Sequence, residues 1–285
     1  MATDAVAGVR RRRLEAAGTS ARLVEAGPAA ATTAVVFVHG NPGSCDDWEP
    51  LAGAVGTVGL RAVAFDLPDF GETIAPTGFE HSALGYAGFV DAALAALGIE
   101  RAHLVLHDFG GPIGLAWAAG HAERIASITL IDIGILPGYK WHRLARIWRT
   151  PVLGELFQAT ATRGAFRTMI GRAEPRGLPR PFVDRMFDHY DRRTRRAVLK
   201  LYRATDDPGT PDPQLVAALA AADPPALVIW GGGDSYLPSS YAERQREFLP
   251  RAEVHVLPHS GHWPFADDPA EVERVLLDFL TRTAP

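Results

Sequence analysis

Short apolar runs alternate along this chain with longer stretches in which alanine, leucine and charged residues recur at helical spacing. Six runs read as strands: residues 34–38, 61–65, 102–107, 125–131, 226–230 and 253–257. Their nearly continuous apolar character suits strands covered on both faces. Ahead of them, residues 8–16 and 20–25 are separated by Ala17-Gly18-Thr19 and predict an antiparallel hairpin at the sheet edge. Helical periodicity at 82–97, 111–121, 239–248 and 269–282 supplies the intervening elements. Such alternation predicts an α/β fold, a mostly parallel central sheet with helices on both faces.

The alternation stops between about residues 134 and 223. Amphipathic helical patterns, Trp141, Trp148, many arginines and several prolines fill this stretch without a convincing strand, and the strand pattern resumes after Asp223-Pro224-Pro225. The predicted organisation is therefore a core of residues 1–133 and 224–285, with a helical cap at 134–223 inserted after the sixth strand.

Bulk properties narrow the partners. No apolar run is long enough to span a bilayer, and a net charge of −4 argues against bulk attraction to nucleic acid. The local run Arg192, Arg193, Arg195, Arg196 reads as a solvated helix face. The single cysteine, Cys45, excludes an internal disulfide, and no apolar stretch follows Arg10 to Arg13; both fit a cytoplasmic protein. The expected partners are a small apolar or moderately polar organic molecule and water, with neither membrane nor nucleic acid. The oligomeric state stays open.

Candidate chemistry sits where strands end. The run Leu104-Val105-Leu106-His107 delivers Asp108, and Phe109-Gly110-Gly111 leads at once into a helix. A sharp strand–turn–helix connection needs small residues, because the helix must approach the sheet closely. The plainer alternative for Asp108 is a cap on the helix beginning near Gly110, a reading that the other motifs disfavour. Val38-His39-Gly40-Asn41-Pro42 ends an earlier strand and offers a backbone N–H and the Asn41 amide. With the N–H of Phe109, that group would form an oxyanion hole. Downstream, Trp230-Gly231-Gly232-Gly233 presents Asp234, and Ser260-Gly261 presents His262 after the last strand. The order of nucleophile, acid and histidine is that of the nucleophile-elbow hydrolases.

These motifs together resemble the α/β-hydrolase superfamily, and within it the branch of epoxide hydrolases and haloalkane dehalogenases. The resemblance covers essentially residues 9–283 and implies an Asp108–His262–Asp234 triad. Asp132, at the end of a strand where some dehalogenases place their acid, ranks second to Asp234. Leu106 departs from the glycine often found two residues before the nucleophile.

A carboxylate nucleophile limits the reaction. Attack on an ester or amide would give an anhydride, with little advantage over the starting material; attack on saturated carbon gives an alkyl ester that water can hydrolyse. No metal or organic cofactor is required. An epoxide leaves as an alkoxide and wants O–H donors, which the resemblance places on cap tyrosines: Tyr139, Tyr190 and Tyr202 are the candidates. A halide wants N–H donors; Asn41 fits, whereas Phe109 stands where a dehalogenase would carry tryptophan, leaving Trp141 or Trp148 as substitutes. The expectation is epoxide hydrolysis, with haloalkane dehalogenation as the alternative. A non-hydrolytic enzyme or a small-molecule receptor on the same fold also remains open.

Overall fold

The computed structural model describes residues 8–284. In chain order it contains β1 (Val9–Ala16), β2 (Thr19–Ala26), β3 (Thr33–Val38), α1 (Glu49–Thr57), β4 (Arg61–Phe65), α2 (Ala83–Ala96), β5 (Arg101–His107), α3 (Gly110–Gly120) and β6 (Ile125–Ile131). Five helices follow: α4 (Arg143–Arg149), α5 (Leu153–Ala159), α6 (Arg163–Ala173), α7 (Arg180–Asp188) and α8 (Arg192–Ala204). Then come α9 (Pro213–Ala222), β7 (Ala226–Gly231), α10 (Ser240–Arg244), β8 (Ala252–Leu257), α11 (Pro264–Asp267) and α12 (Pro269–Thr283).

The eight strands form one sheet in the order β1-β2-β4-β3-β5-β6-β7-β8. Pairing is antiparallel from β1 to β2 and from β2 to β4, and parallel elsewhere. The predicted hairpin is present: Ala17 and Gly18 both have positive φ (48° and 74°), the geometry that matches a tight turn to the twist of its strands. Both faces of the central strands are buried, because α1 and α12 pack together on one side and α2, α3 and α9 form a row on the other. All six predicted strands fall where their apolar runs place them, but β8 is the edge strand and only partly buried, contrary to the expectation of cover on both faces, with Val256 exposed.

Two helices differ from the sequence expectation. Helix α1 lacked a clear pattern because Gly53 and Gly56 interrupt its apolar face. The helix expected at 239–248 is a short α10 followed by a single 3₁₀ turn, Gln245–Glu247. There Gln245 turns inward, accepting from the Ile135 N–H at 2.9 Å and donating to the Ile135 and Tyr241 carbonyls.

The sheet order reverses direction between β3 and β5. Loops leaving neighbouring strands at such a switch diverge and leave a crevice beyond the carboxyl ends. Val38 of β3 pairs with Leu106 of β5, so Asn41 and Asp108 emerge at the same height on that crevice. Residues of α4, α6 and α8 close it from above.

Candidate active site

A cavity of about 840 Å³, a volume that includes open solvent at its mouth, lies between the strand ends and these helices. Asp108, Asn41, Phe109 and His262 line its floor, and Tyr139, Trp141, His142, Trp148, Met169 and Tyr202 line its roof and walls. The lining is aromatic and aliphatic with few polar groups, the usual character of a small-molecule site.

Asp108 has φ of 48°, a left-handed conformation that is uncommon for a residue other than glycine. This sharp turn points its carboxylate away from α3 and into the cavity. One oxygen, Oδ1, accepts the Asn41 backbone N–H at 2.6 Å. The other, Oδ2, lies 3.5 Å from His262 Nε2. Burial opposes its ionisation, but the His262 and His107 rings and the Asn41 N–H outweigh that and hold its carboxyl below the usual range.

His262 Nδ1 donates to Asp234 Oδ2 at 2.7 Å. The second Asp234 oxygen accepts the backbone N–H groups of Tyr236 (2.7 Å) and Leu237 (3.0 Å), which fixes the carboxylate after β7. Burial disfavours a charged imidazole, yet Asp234 and Asp108 on either side raise the His262 pKa well above its ordinary value. The carbonyl of His262 accepts from His107 Nε2 at 2.8 Å. Burial, reinforced by the charge of His262, lowers the His107 pKa to about 3, so it serves as a neutral donor.

Asp132 lies in the same cluster, its ligand atom within 4.8 Å of Asp234 and His262. Its φ is 46°, and Oδ1 accepts the Gly231 N–H at 2.8 Å. Its Oδ2 has no partner among the described residues. Burial and then the charge of Asp234 push this carboxyl far up, behind the Asp234–His262 pair.

The three cap tyrosines separate. Tyr202, on α8, borders the cavity, and its ring meets Phe109 at 4.6 Å between centroids. Burial and then the Asp108 charge raise its hydroxyl far above the normal phenol range. Tyr139 borders the cavity, but its hydroxyl donates to the Tyr236 carbonyl at 3.3 Å. Tyr190 does not reach the cavity; packed beside Phe166, it accepts a hydrogen bond from Gln158 Nε2 at 2.7 Å. Of the three candidate donors, Tyr190 is the one that the fold places outside the cavity lining.

Three residues at the site were missed in the sequence. Tyr236 packs on the His262 ring, 5.1 Å between centroids. Glu174, from the cap, accepts the His262 backbone N–H at 3.0 Å. His142 caps α4, its Nδ1 accepting the Ala145 N–H at 3.2 Å, which places its proton on Nε2. Burial lowers the His142 pKa to about 4, so it is neutral. No short motif marks any of the three. Each lies in a loop or at a helix start, where its side chain's direction depends on the tertiary fold. Trp141 and Trp148 also border the cavity; their buried indole nitrogens, like the Asn41 side-chain amide, have no partner among the described residues.

With fold and geometry established, the chain can be placed. Residues 33–269 match the family model for the alpha/beta hydrolase fold, and the chain belongs to that family. A Variovorax paradoxus protein provisionally named a carbamate hydrolase is 30% identical over 254 residues, covering 88% of this chain and 92% of that protein. A haloalkane dehalogenase from Bradyrhizobium elkani USDA94 superposes with a TM-score of 0.83 at 23% identity, over 96% of this chain and 98% of its own. The Cif epoxide hydrolase from Acinetobacter nosocomialis gives 0.82 at 19% identity, over 96% and 90%. At these identities the structural likenesses establish the fold, and the protein is a hydrolase of that fold. No helix among the described residues is long and apolar enough to cross a membrane.

Proposed function

We propose that this hydrolase attacks a saturated, electrophilic carbon with the Asp108 carboxylate and releases product by hydrolysing the resulting alkyl ester, most simply opening an epoxide to a diol. The observation that carries this reading is a carboxylate at the elbow, with one oxygen on the Asn41 N–H and the other facing His262 Nε2 across 3.5 Å. In the first step Asp108 Oδ2 bonds to the carbon as the carbon–oxygen bond of the ring breaks. The Tyr202 hydroxyl, from the side chain that lines the same cavity as Asp108, donates to the departing oxygen. In the second, His262 Nε2 takes a proton from water, and the resulting hydroxide attacks the ester carbonyl. The N–H groups of Asn41 and Phe109 stabilise the oxyanion.

The electrostatics favour this sequence. While Asp108 is ionised, two carboxylates flank His262 and hold its proton; esterification removes one of those charges. The His262 pKa then falls, its proton passes by way of Tyr202 to the oxygen freed from the ring, and the neutral imidazole becomes a base when water must be activated. The apolar lining, with Phe109 and Pro112 beside the nucleophile, suits an uncharged substrate.

A second reading is favoured by the unpartnered N–H donors. Asn41, Trp141 and Trp148 line the same cavity, and their buried Nδ2 and Nε1 atoms, turned toward a departing halide, would solvate it, making the chain a hydrolytic dehalogenase. A paired panel of terminal epoxides and haloalkanes of equal chain length separates the two. Epoxide opening should dominate, and Tyr202→Phe should lower it about 100-fold, the scale of losing one aimed donor in a dry site. Efficient halide release that is lost in Trp141→Phe and kept in Tyr202→Phe would select the dehalogenase instead. For the common mechanism, His262→Gln mixed with substrate should gain the mass of the alkyl fragment on Asp108. Freshly purified Asp108→Asn, with deamidation excluded by mass, should be inert.

A further inference from the structure

The cap touches the two loops that carry Asp234 and His262 through three consecutive residues after α6: Glu174, Pro175 and Arg176. Glu174 Oε1 accepts the His262 backbone N–H at 3.0 Å. Its Oε2 lies so close to the Gly261 Cα that any side chain there would overlap it. The Pro175 ring fills the space that a Cβ on Gly233, next to Asp234, would need. Arg176 Nη1 donates to Asp268 Oδ2 at 2.5 Å, and Asp267 Oδ2 accepts the Gly261 N–H at 2.7 Å. The wedge thus rests on two glycines, each one residue before a member of the triad.

From this contact we propose that Glu174 is a positioning residue for His262, and that the Glu174-Pro175-Arg176 wedge makes the geometry of the base depend on the docked cap. The inference rests on the role of His262 argued above. Packing alone does not account for Glu174. A carboxyl buried in the interface with Oε2 unpartnered among the described residues is unfavourable there. An apolar side chain would fill the same space without that cost, but it could not hold the histidine backbone. Four groups secure the histidine segment: Asp234 on the ring, His107 on the carbonyl, Asp267 on the Gly261 N–H and Glu174 on the His262 N–H. Of these only Glu174 belongs to the cap. The charges facing it are His262, which attracts its anion, and Asp267 and Asp234, which repel it. Burial and those two carboxylates raise its pKa to about 7. Either protonation state leaves Oε1 an acceptor, so glutamine is a fair replacement and alanine is not.

The test compares wild type, Glu174→Ala, Glu174→Gln and Gly261→Ala, the last displacing Glu174 with a methyl group while the cap sequence stays intact. Single-turnover intact-mass measurements follow formation and decay of the ester; hydrogen exchange follows the backbone amide of His262 without any substrate. In Glu174→Ala the His262 amide should exchange at least about tenfold faster. Ester decay should slow about tenfold, the effect of losing one hydrogen bond to a charged or polarised group. Ester formation should stay within about twofold. Gly261→Ala should repeat that asymmetry, and Glu174→Gln should restore wild-type decay. Equal slowing of formation and decay, or wild-type decay with unchanged exchange in Glu174→Ala, would overturn the proposal. If wild type forms no ester at all, the covalent mechanism falls. The exchange measurement still decides the clamp, with unchanged exchange in Glu174→Ala counting against it.

Discussion

At the scale of single residues, two carboxyl groups compete for the same histidine, and their environments assign them different tasks. Asp234 makes the 2.7 Å bond to Nδ1 while two backbone N–H groups hold its other oxygen. Asp132 is buried behind it, bonded once through Gly231, and burial with the Asp234 charge pushes its carboxyl up. Asp234→Asn should therefore reduce turnover by about 10⁴-fold, the loss expected when a histidine base is given the wrong tautomer. Asp132→Asn should cost less than about tenfold, since an amide oxygen can accept the Gly231 N–H in place of the carboxyl. Steady-state kinetics of both variants on one substrate decide it; the reverse order would make Asp132 the working acid. How legible these residues are follows from where they sit. Asp108, Asn41, Asp234 and His262 each end an apolar strand, so short motifs locate them. The tyrosines lie on or beside helices whose rotation only packing fixes. That is why Tyr190, turned toward Gln158, could not be told from Tyr202, turned toward the cavity, before the fold was known.

At the scale of elements, the join of β5 to α3 explains a departure from the usual elbow. Leu106 stands where a small residue is common, and its side chain fits because Gly114, one turn into α3, has no Cβ. A methyl group there would overlap both Leu106 δ-carbons. Large and small residues have been exchanged across the interface while the close approach of helix to strand is kept. Gly114→Ala should destabilise the protein by about 1–3 kcal/mol, as overpacking of a buried contact does. Leu106→Ala should cost less in the Gly114→Ala background than in wild type, because the two side chains contend for one space. Urea unfolding of the four proteins measures that coupling; additive effects would remove the compensation. Period and composition identify α2, α3 and α12, whose runs are long. They miss α1, where glycines interrupt the apolar face, and they overextend α10, whose last turn is 3₁₀ with Gln245 turned inward.

At the scale of the whole molecule, the sheet carries the reactive groups at one end, and the opposite end shows what the burial of polar residues costs. His103 lies in β5 on that far side, 1% exposed, with Nδ1 bonded to Ser127 Oγ at 2.8 Å and Nε2 without a partner among the described residues. Burial, helped by the charge of Arg101, lowers its pKa to about 4. A base with its native pKa below the unfolded value of about 6.5 contributes stability that is fully present above that value. The contribution is lost as the pH falls, because the unfolded chain takes up a proton that the native ring refuses. Groups elsewhere shift in the other direction, Glu174 and Asp132 among them, so the absolute curve mixes several titrations. The difference between wild type and His103→Gln isolates this one. That difference should be flat above about pH 6.5. It should then move against wild type by about 1.4 kcal/mol per pH unit down to about pH 4, on the order of 3 kcal/mol in all. Denaturant unfolding of both proteins between pH 4 and 8 supplies the two curves. Parallel curves across that range would mean that His103 accepts its proton in the folded state, and that the floor of the sheet admits water.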